Sequence, residues 1–237
     1  MRSVYLLTLR QLSGRYRLLI MIVLAALPVL MAVITLRGET TPSVLGFETA
    51  VLSALLAGSI IPLVVLAIAA AAFANEIEDR TLANLVLAPI PRWQIVVPKL
   101  LAAITVAAPF IAVSALLTSH VAFLGDARAT LSVTVSALAA VALYASAFVW
   151  LGLATTQAIG IGLLYIVLWE GLFSGFVEGA RLLSIRHYAI ALMHGMDERR
   201  FAGGNHLDMG LAIAVSVLVF GGFLFLSIRR LRRMDIP

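Results

Sequence analysis

Long apolar runs separated by short polar breaks dominate the chain. They cover roughly Leu18–Leu36, Ala50–Ala74, Trp93–Ser119, Leu131–Ala154, Ile159–Val177 and Met209–Ile228. Each reaches the ~18 residues a helix needs to cross about 30 Å of hydrocarbon. The pattern predicts an all-α polytopic membrane protein, with six transmembrane helices forming one domain over residues 1–237. Pro28, Pro62 and Pro109 fall inside spans, where neighbouring helices repair the lost backbone hydrogen bonds. A packed bundle is therefore expected. Residues 1–16 are too short to span, and they intersperse Arg2, Arg10 and Arg15 with Val4, Leu6, Leu7 and Leu12. That mixture predicts an amphipathic helix lying in the membrane interface. No small-residue cleavage site ends the first apolar run, so a signal peptide is not expected.

Composition strengthens this reading. Hydrophobic residues make up 62% of the chain and charged ones 12%, against roughly 25% charged in soluble domains. There is no cysteine, which excludes disulfides and thiolate metal sites. The formal charge of +5 does not call for nucleic acid, because basic residues at membrane edges are set by topology. With the N-terminus inside, the cytoplasmic segments hold Arg2, Arg10, Arg15, Arg17, Arg80, Arg92, Lys99, Arg229, Arg230, Arg232 and Arg233. The other side holds Arg37, Arg128, Arg181, Arg186, Arg199 and Arg200. This bias predicts both termini in the cytoplasm and the 75–99 loop beside them.

The outer side has one substantial segment, 178–208. Leu182, Ile185, Tyr188, Ala189 and Leu192 recur there at helical spacing, predicting one or two short helices in, or dipping into, the outer leaflet. His120, His187, His194 and His206 all fall on this side and are expected to be solvated, with no metal site. Glu170 is the one ionisable residue well inside a predicted span. Such carboxylates are costly and default to a functional role: here a substrate path or helix pairing, against plain interfacial exposure. Gly171, Gly175 and Gly179 repeat every fourth residue, a spacing that lets a second helix approach. They form a candidate subunit contact, or alternatively permit a re-entrant turn.

Catalytic chemistry is missing from the sequence. There is no glycine-rich P-loop ahead of Lys99, the only lysine, and no HExxH or GxSxG motif. Any nucleotide must be hydrolysed by another chain. The most polar stretch is Asn75–Lys99, NEIEDRTLANLVLAPIPRWQIVVPK. Glu76, Glu78 and Asp79 stand beside Arg80. Thr81 can cap a short helix whose stripe is Leu82, Leu85 and Val86, and Pro89 and Pro91 end it. An apolar helix flanked by charges suits a groove on a partner protein. Acids are repelled by anionic headgroups, which disfavours a mere lipid contact.

These residues resemble the signature of ABC-2 type transporter permeases, E-x-E-x-G-T-L-x-x-L-L-x-x-P-(V/I)-x-R with a lysine opening the third span. Glu76, Glu78, Thr81, Leu82, Leu85, Pro89, Ile90, Arg92 and Lys99 match it. Arg80 departs from the glycine, and Val86 from the second leucine. The resemblance extends to the interfacial helix, six spans and short outer helices. It implies a multi-pass permease half in the cell (inner) membrane, with no catalytic residues and no cofactor of its own. ATP and magnesium would be bound by a separate ATP-binding cassette subunit, in two copies, docked on the coupling helix in 75–92. A second permease subunit, identical or related, would complete the pore. Most relatives are exporters, and weakly polar spans point to a hydrophobic or amphipathic substrate. The competing readings are an intramembrane lipid-modifying enzyme built on Glu170 and a membrane assembly scaffold.

Overall fold

Inside hydrocarbon, a helix is one of the few structures that satisfies its own backbone, and every element among the described residues is helical. The computed structural model describes residues 2–37, 43–73, 91–173, 184–201 and 207–233. In chain order the helices are α1 (Arg2–Leu12), α2 (Arg15–Arg37), α3 (Val44–Phe73), α4 (Trp93–Ala122), α5 (Ala127–Ala154), α6 (Ala158–Leu164, continuing as Tyr165–Phe173), α7 (Ile185–Met196) and α8 (Met209–Arg233). Five of them, α2, α3, α4, α5 and α8, are long and apolar enough to cross a membrane. The shorter α6 stands where a fifth span was expected over 159–177; its described part stops at Phe173, and residues 174–183 lie outside the described set.

Burial separates centre from periphery. The apolar windows of α3 and α5 are 72% and 61% buried, against 22% for α2 and 11% for α8. Helix α5 is the hub, with α3, α4, α7 and α8 packed on it. A side chain at Gly152 would set its Cβ 2.5 Å from the Ala70 carbonyl oxygen. Only glycine lets α5 and α3 come that close. Bare α2 and α8 present leucine, isoleucine and valine outwards, as helices facing lipid do.

Two features explain how prolines fit. Residues Glu48–Ile60 of α3 are wound in wide i→i+5 turns, and Pro62 follows at once in the first α-helical turn. A wider turn eases the clash a proline ring makes with the carbonyl four residues back. Between α2 and α4, the Ser114 hydroxyl donates to the Ala25 carbonyl oxygen at 2.6 Å, an inter-helix bond in the region of Pro28 and Pro109. The α4–α5 turn passes through Leu124 (φ 52°) and Gly125 (φ 81°). Asp126 then caps α5 by accepting from the Arg128 and Ala129 amides.

The N-terminal segment forms its own helix, α1, packed on α4. The Tyr5 hydroxyl donates to Thr105 Oγ1 at 3.1 Å, and Thr8 and Leu12 are buried. It lies against the bundle, at the end where α3 leaves and α4 enters. That end is the loop end of the bundle.

Candidate functional site

Among the described residues, buried polar groups interrupt this apolar bundle at three places treated in turn. At the loop end, Lys99 of α4 is fully buried. Its Nζ donates to the Ala72 carbonyl oxygen at 2.5 Å and lies 4.4 Å from the centre of the Phe73 ring. A buried ammonium requires hydrogen bonds, and an aromatic face adds attraction. Both contacts come from the last described turn of α3, so Lys99 ties together the two helices that flank residues 74–90. Glu76, Glu78, Asp79, Arg80, Thr81, Leu82, Leu85 and Pro89 all lie in that segment, outside the described residues. Of the predicted loop set, Arg92 is described. It is half-buried at the start of α4.

Glu170, in α6, is fully buried. Its Oε1 accepts from the Tyr165 hydroxyl at 3.0 Å and from the Ile185 amide at 3.1 Å; its Oε2 accepts from Ser184 Oγ at 2.5 Å. Ser184 and Ile185 are the N-terminal cap and first residue of α7. The carboxylate therefore satisfies an N–H that has no partner within its own helix, at the positive end of the α7 dipole. Arg186, one residue on, donates from Nη1 to the Glu170 carbonyl oxygen at 3.1 Å. Its guanidinium would also crowd a Cβ at Gly58 of α3 at 3.1 Å. Helix α7 thus begins inside the bundle and runs back to the far end, where Arg128 donates to the Met196 carbonyl oxygen at 3.3 Å.

The third arrangement closes the far end. His194 Nε2 meets Glu48 Oε1 at 2.5 Å, both residues buried. The ring nitrogen and the carboxyl oxygen are joined by a hydrogen bond. The rings of Phe47, Phe123 and Phe201 pack edge to face beside it, 5.9 Å and 5.5 Å apart. Arg200 lies over Phe123 and donates to Asp126 at 3.4 Å. The pair fastens α7 to α3. His194 was expected to be solvated; burial of the α7 C-terminal half overturns that for this residue, while His120 is exposed. Replacing His194 with alanine leaves a buried carboxylate without this partner, at a cost of about 3 kcal/mol or more. Faster amide exchange over 185–196 should follow, with no change for His120→Ala.

Beside the Glu170 cluster, Phe148, Trp150, Tyr165, Ile185, Tyr188 and Phe223 line a recess of about 320 Å³ between α5, α6, α7 and α8. Its walls are aromatic, and Tyr165, bonded to Glu170, stands at its edge. Gly171 is exposed next to the carboxylate, whereas Gly175 and Gly179 lie outside the described residues. Among the described residues, no group of three or more acids and histidines is disposed to hold a metal ion.

Sequence reasoning missed Glu48, assigned to the connection before the second span, and missed the inward reach of Arg186. The signal for Glu48 was the apolar stretch Val44–Phe47 ahead of it, which continues the helix.

A comparison with curated proteins found no match. A family model described as ABC-2 family transporter protein matches residues 13–177, from the start of α2 to beyond Glu170, the segment that contains both Lys99 and residues 74–90. The match covers more than half of the chain, and the helical bundle accords with it: the chain belongs to the ABC-2 family of transporter proteins, as a membrane-embedded permease subunit of an ABC transporter.

Proposed function

We propose that this permease exports a hydrophobic or amphipathic substrate, driven by a separate ATP-binding subunit that docks on residues 75–92. The observation that carries this reading is the Lys99 tie to Ala72 and Phe73. It makes the exit of α3 and the entry of α4 one mechanical unit at the root of the loop. A force on the loop then moves both helices together, and α3 transmits it to the hub helix α5 through the close Gly152–Ala70 contact. Loop acids Glu76, Glu78 and Asp79, with Arg80 and Arg92, would set the register of docking. Leu82 and Leu85, capped by Thr81 and stopped by Pro89, would fill the partner's groove.

Two ATP-binding subunits and a second permease chain complete the assembly in this reading, the second permease meeting the first near Gly171, Gly175 and Gly179. Both termini and the loop face the cytoplasm, and the bilayer is the inner membrane. The aromatic recess beside Glu170 supports an amphipathic substrate, because it offers apolar walls with a polar edge.

Charge reversal at Glu76 or Asp79, or Leu82→Asp, tests the docking surface. Each should reduce recovery of the ATP-binding subunit with the purified permease by about tenfold, as expected when an apolar anchor or a charge pair is lost at an interface. Wild-type recovery and transport in all three variants would remove the loop from the mechanism.

A further inference from the structure

The loop end carries a second polar feature, between α8 and the first residue of α4. Phe225, Ile228, Arg229, Arg232 and Arg233 of α8 line a recess of about 460 Å³, closed on its other side by Trp93. The α8 residues fall at i, i+3, i+4, i+7 and i+8, one continuous helical face. Arg230 points elsewhere, and Leu231 is fully buried against the bundle. The three arginines are exposed, and no acidic side chain among the described residues pairs with them. Three like charges thus converge on one concavity and call for an anion.

The rest of the recess says which anion. Its floor is apolar, and Phe225, 61% exposed, continues into the bare face of α8 that the hydrocarbon would cover. Trp93, 42% exposed, is of the residue type enriched at membrane–water boundaries. A soluble phosphate would use the arginines alone and leave the floor wet. A phospholipid uses both: its phosphate takes the guanidinium forks, which suit planar bidentate contacts, and its acyl chains follow Phe225 along α8. We infer that Trp93, Arg229, Arg232 and Arg233 form a binding site for the headgroup of an anionic phospholipid, in the leaflet at the loop end of the bundle. Basic recesses between membrane helices hold such headgroups. The lipid would brace α8 against the start of α4, next to the loop. This rests on the chain crossing the bilayer and not on the ATPase-docking reading.

The natural reporter is Trp93. In a chain carrying Trp150→Phe and Trp169→Phe, its fluorescence is titrated with phosphatidylglycerol brominated on the acyl chains near the glycerol, and separately with equally brominated phosphatidylcholine. Phosphatidylglycerol should half-quench at a mole fraction lower by about tenfold. Arg229→Gln/Arg232→Gln/Arg233→Gln should erase that preference, and Arg230→Gln should keep it. Millimolar inorganic phosphate should leave it intact. As a check free of substitutions, native mass spectrometry of the wild-type chain should show phosphatidylglycerol retained in preference to phosphatidylcholine. Equal quenching by the two lipids together with equal retention, an equal loss in Arg230→Gln, or displacement by inorganic phosphate would each overturn the proposal.

Discussion

Glu170→Ala is expected to lower the stability of the permease by about 3 kcal/mol, because it strips the acceptor from three donors at once. Ser184 Oγ, the Ile185 amide and the Tyr165 hydroxyl all point at this carboxylate, and the first two form the start of α7. Without it, the first turn of a helix that begins inside the bundle loses a partner for its free N–H, and no water stands ready to replace it. In detergent micelles the apparent unfolding temperature should fall by roughly 6–12 °C, the range that such a loss produces in a chain of this size. Glu170→Gln keeps the volume and one acceptor oxygen, so it should lose about half as much. Ser184→Ala should lose less alone and almost nothing more in the Glu170→Ala background, since the two share one hydrogen bond. An unfolding temperature for Glu170→Ala within a degree or two of wild type would show that the carboxylate is not what holds α7.

Lys99→Met is expected to act chiefly on coupling and disable transport. Methionine keeps the length and apolar volume of the lysine stem, and the ammonium's desolvation cost disappears with the charge. What is lost includes the bond to the Ala72 carbonyl oxygen and the contact with Phe73. A hydrogen bond to a charged group contributes about 1.5–3 kcal/mol, so the linkage between α3 and α4 should weaken by about tenfold or more. In proteoliposomes, ATP hydrolysis by the partner should continue while substrate transport per ATP drops by a similar factor. Lys99→Arg should also fail, since a guanidinium is too large for a site with no exposure. Full coupling in Lys99→Met would overturn the role given to this tie.

The contrast between these variants bears on what the sequence could reveal. Apolar runs of twenty residues have no alternative to a membrane helix, so α2, α4, α5 and α8 were legible within a few residues. Helix α3 starts at Val44 rather than Ala50 because Glu48 reads as a loop acid until its partner is known. That partner, His194, is 146 positions away, and no periodicity encodes such a pairing. The spacing of Ile185, Tyr188 and Ala189 announced α7 correctly. It did not announce that Ala191, Met193 and His194 are buried too; one amphipathic stripe predicts a helix lying on a surface, whereas this helix is enclosed. Glu170 was recognisable as an intramembrane acid, but its donors among the described residues come from its own helix and from the start of α7, and the sequence carries no motif that joins them. Lys99 was visible as a family residue, and its contact with Ala72 required the packing of α3 on α4. The docking reading of the loop falls on residues 74–90, which lie outside those the structure describes.

The central claim, that residues 75–92 engage an ATP-binding subunit, can be tested with unusual specificity because the chain has no cysteine. A single Leu82→Cys introduces the only thiol. In membranes containing the whole transporter, a short thiol-to-amine cross-linker on Cys at this position should yield one product that contains the permease and a P-loop ATPase, with a yield that changes when ATP is added. Ser43→Cys, at the far end of the bundle, should give none. Absence of any ATPase from the position-82 product, or an equal yield from both positions, would contradict the account.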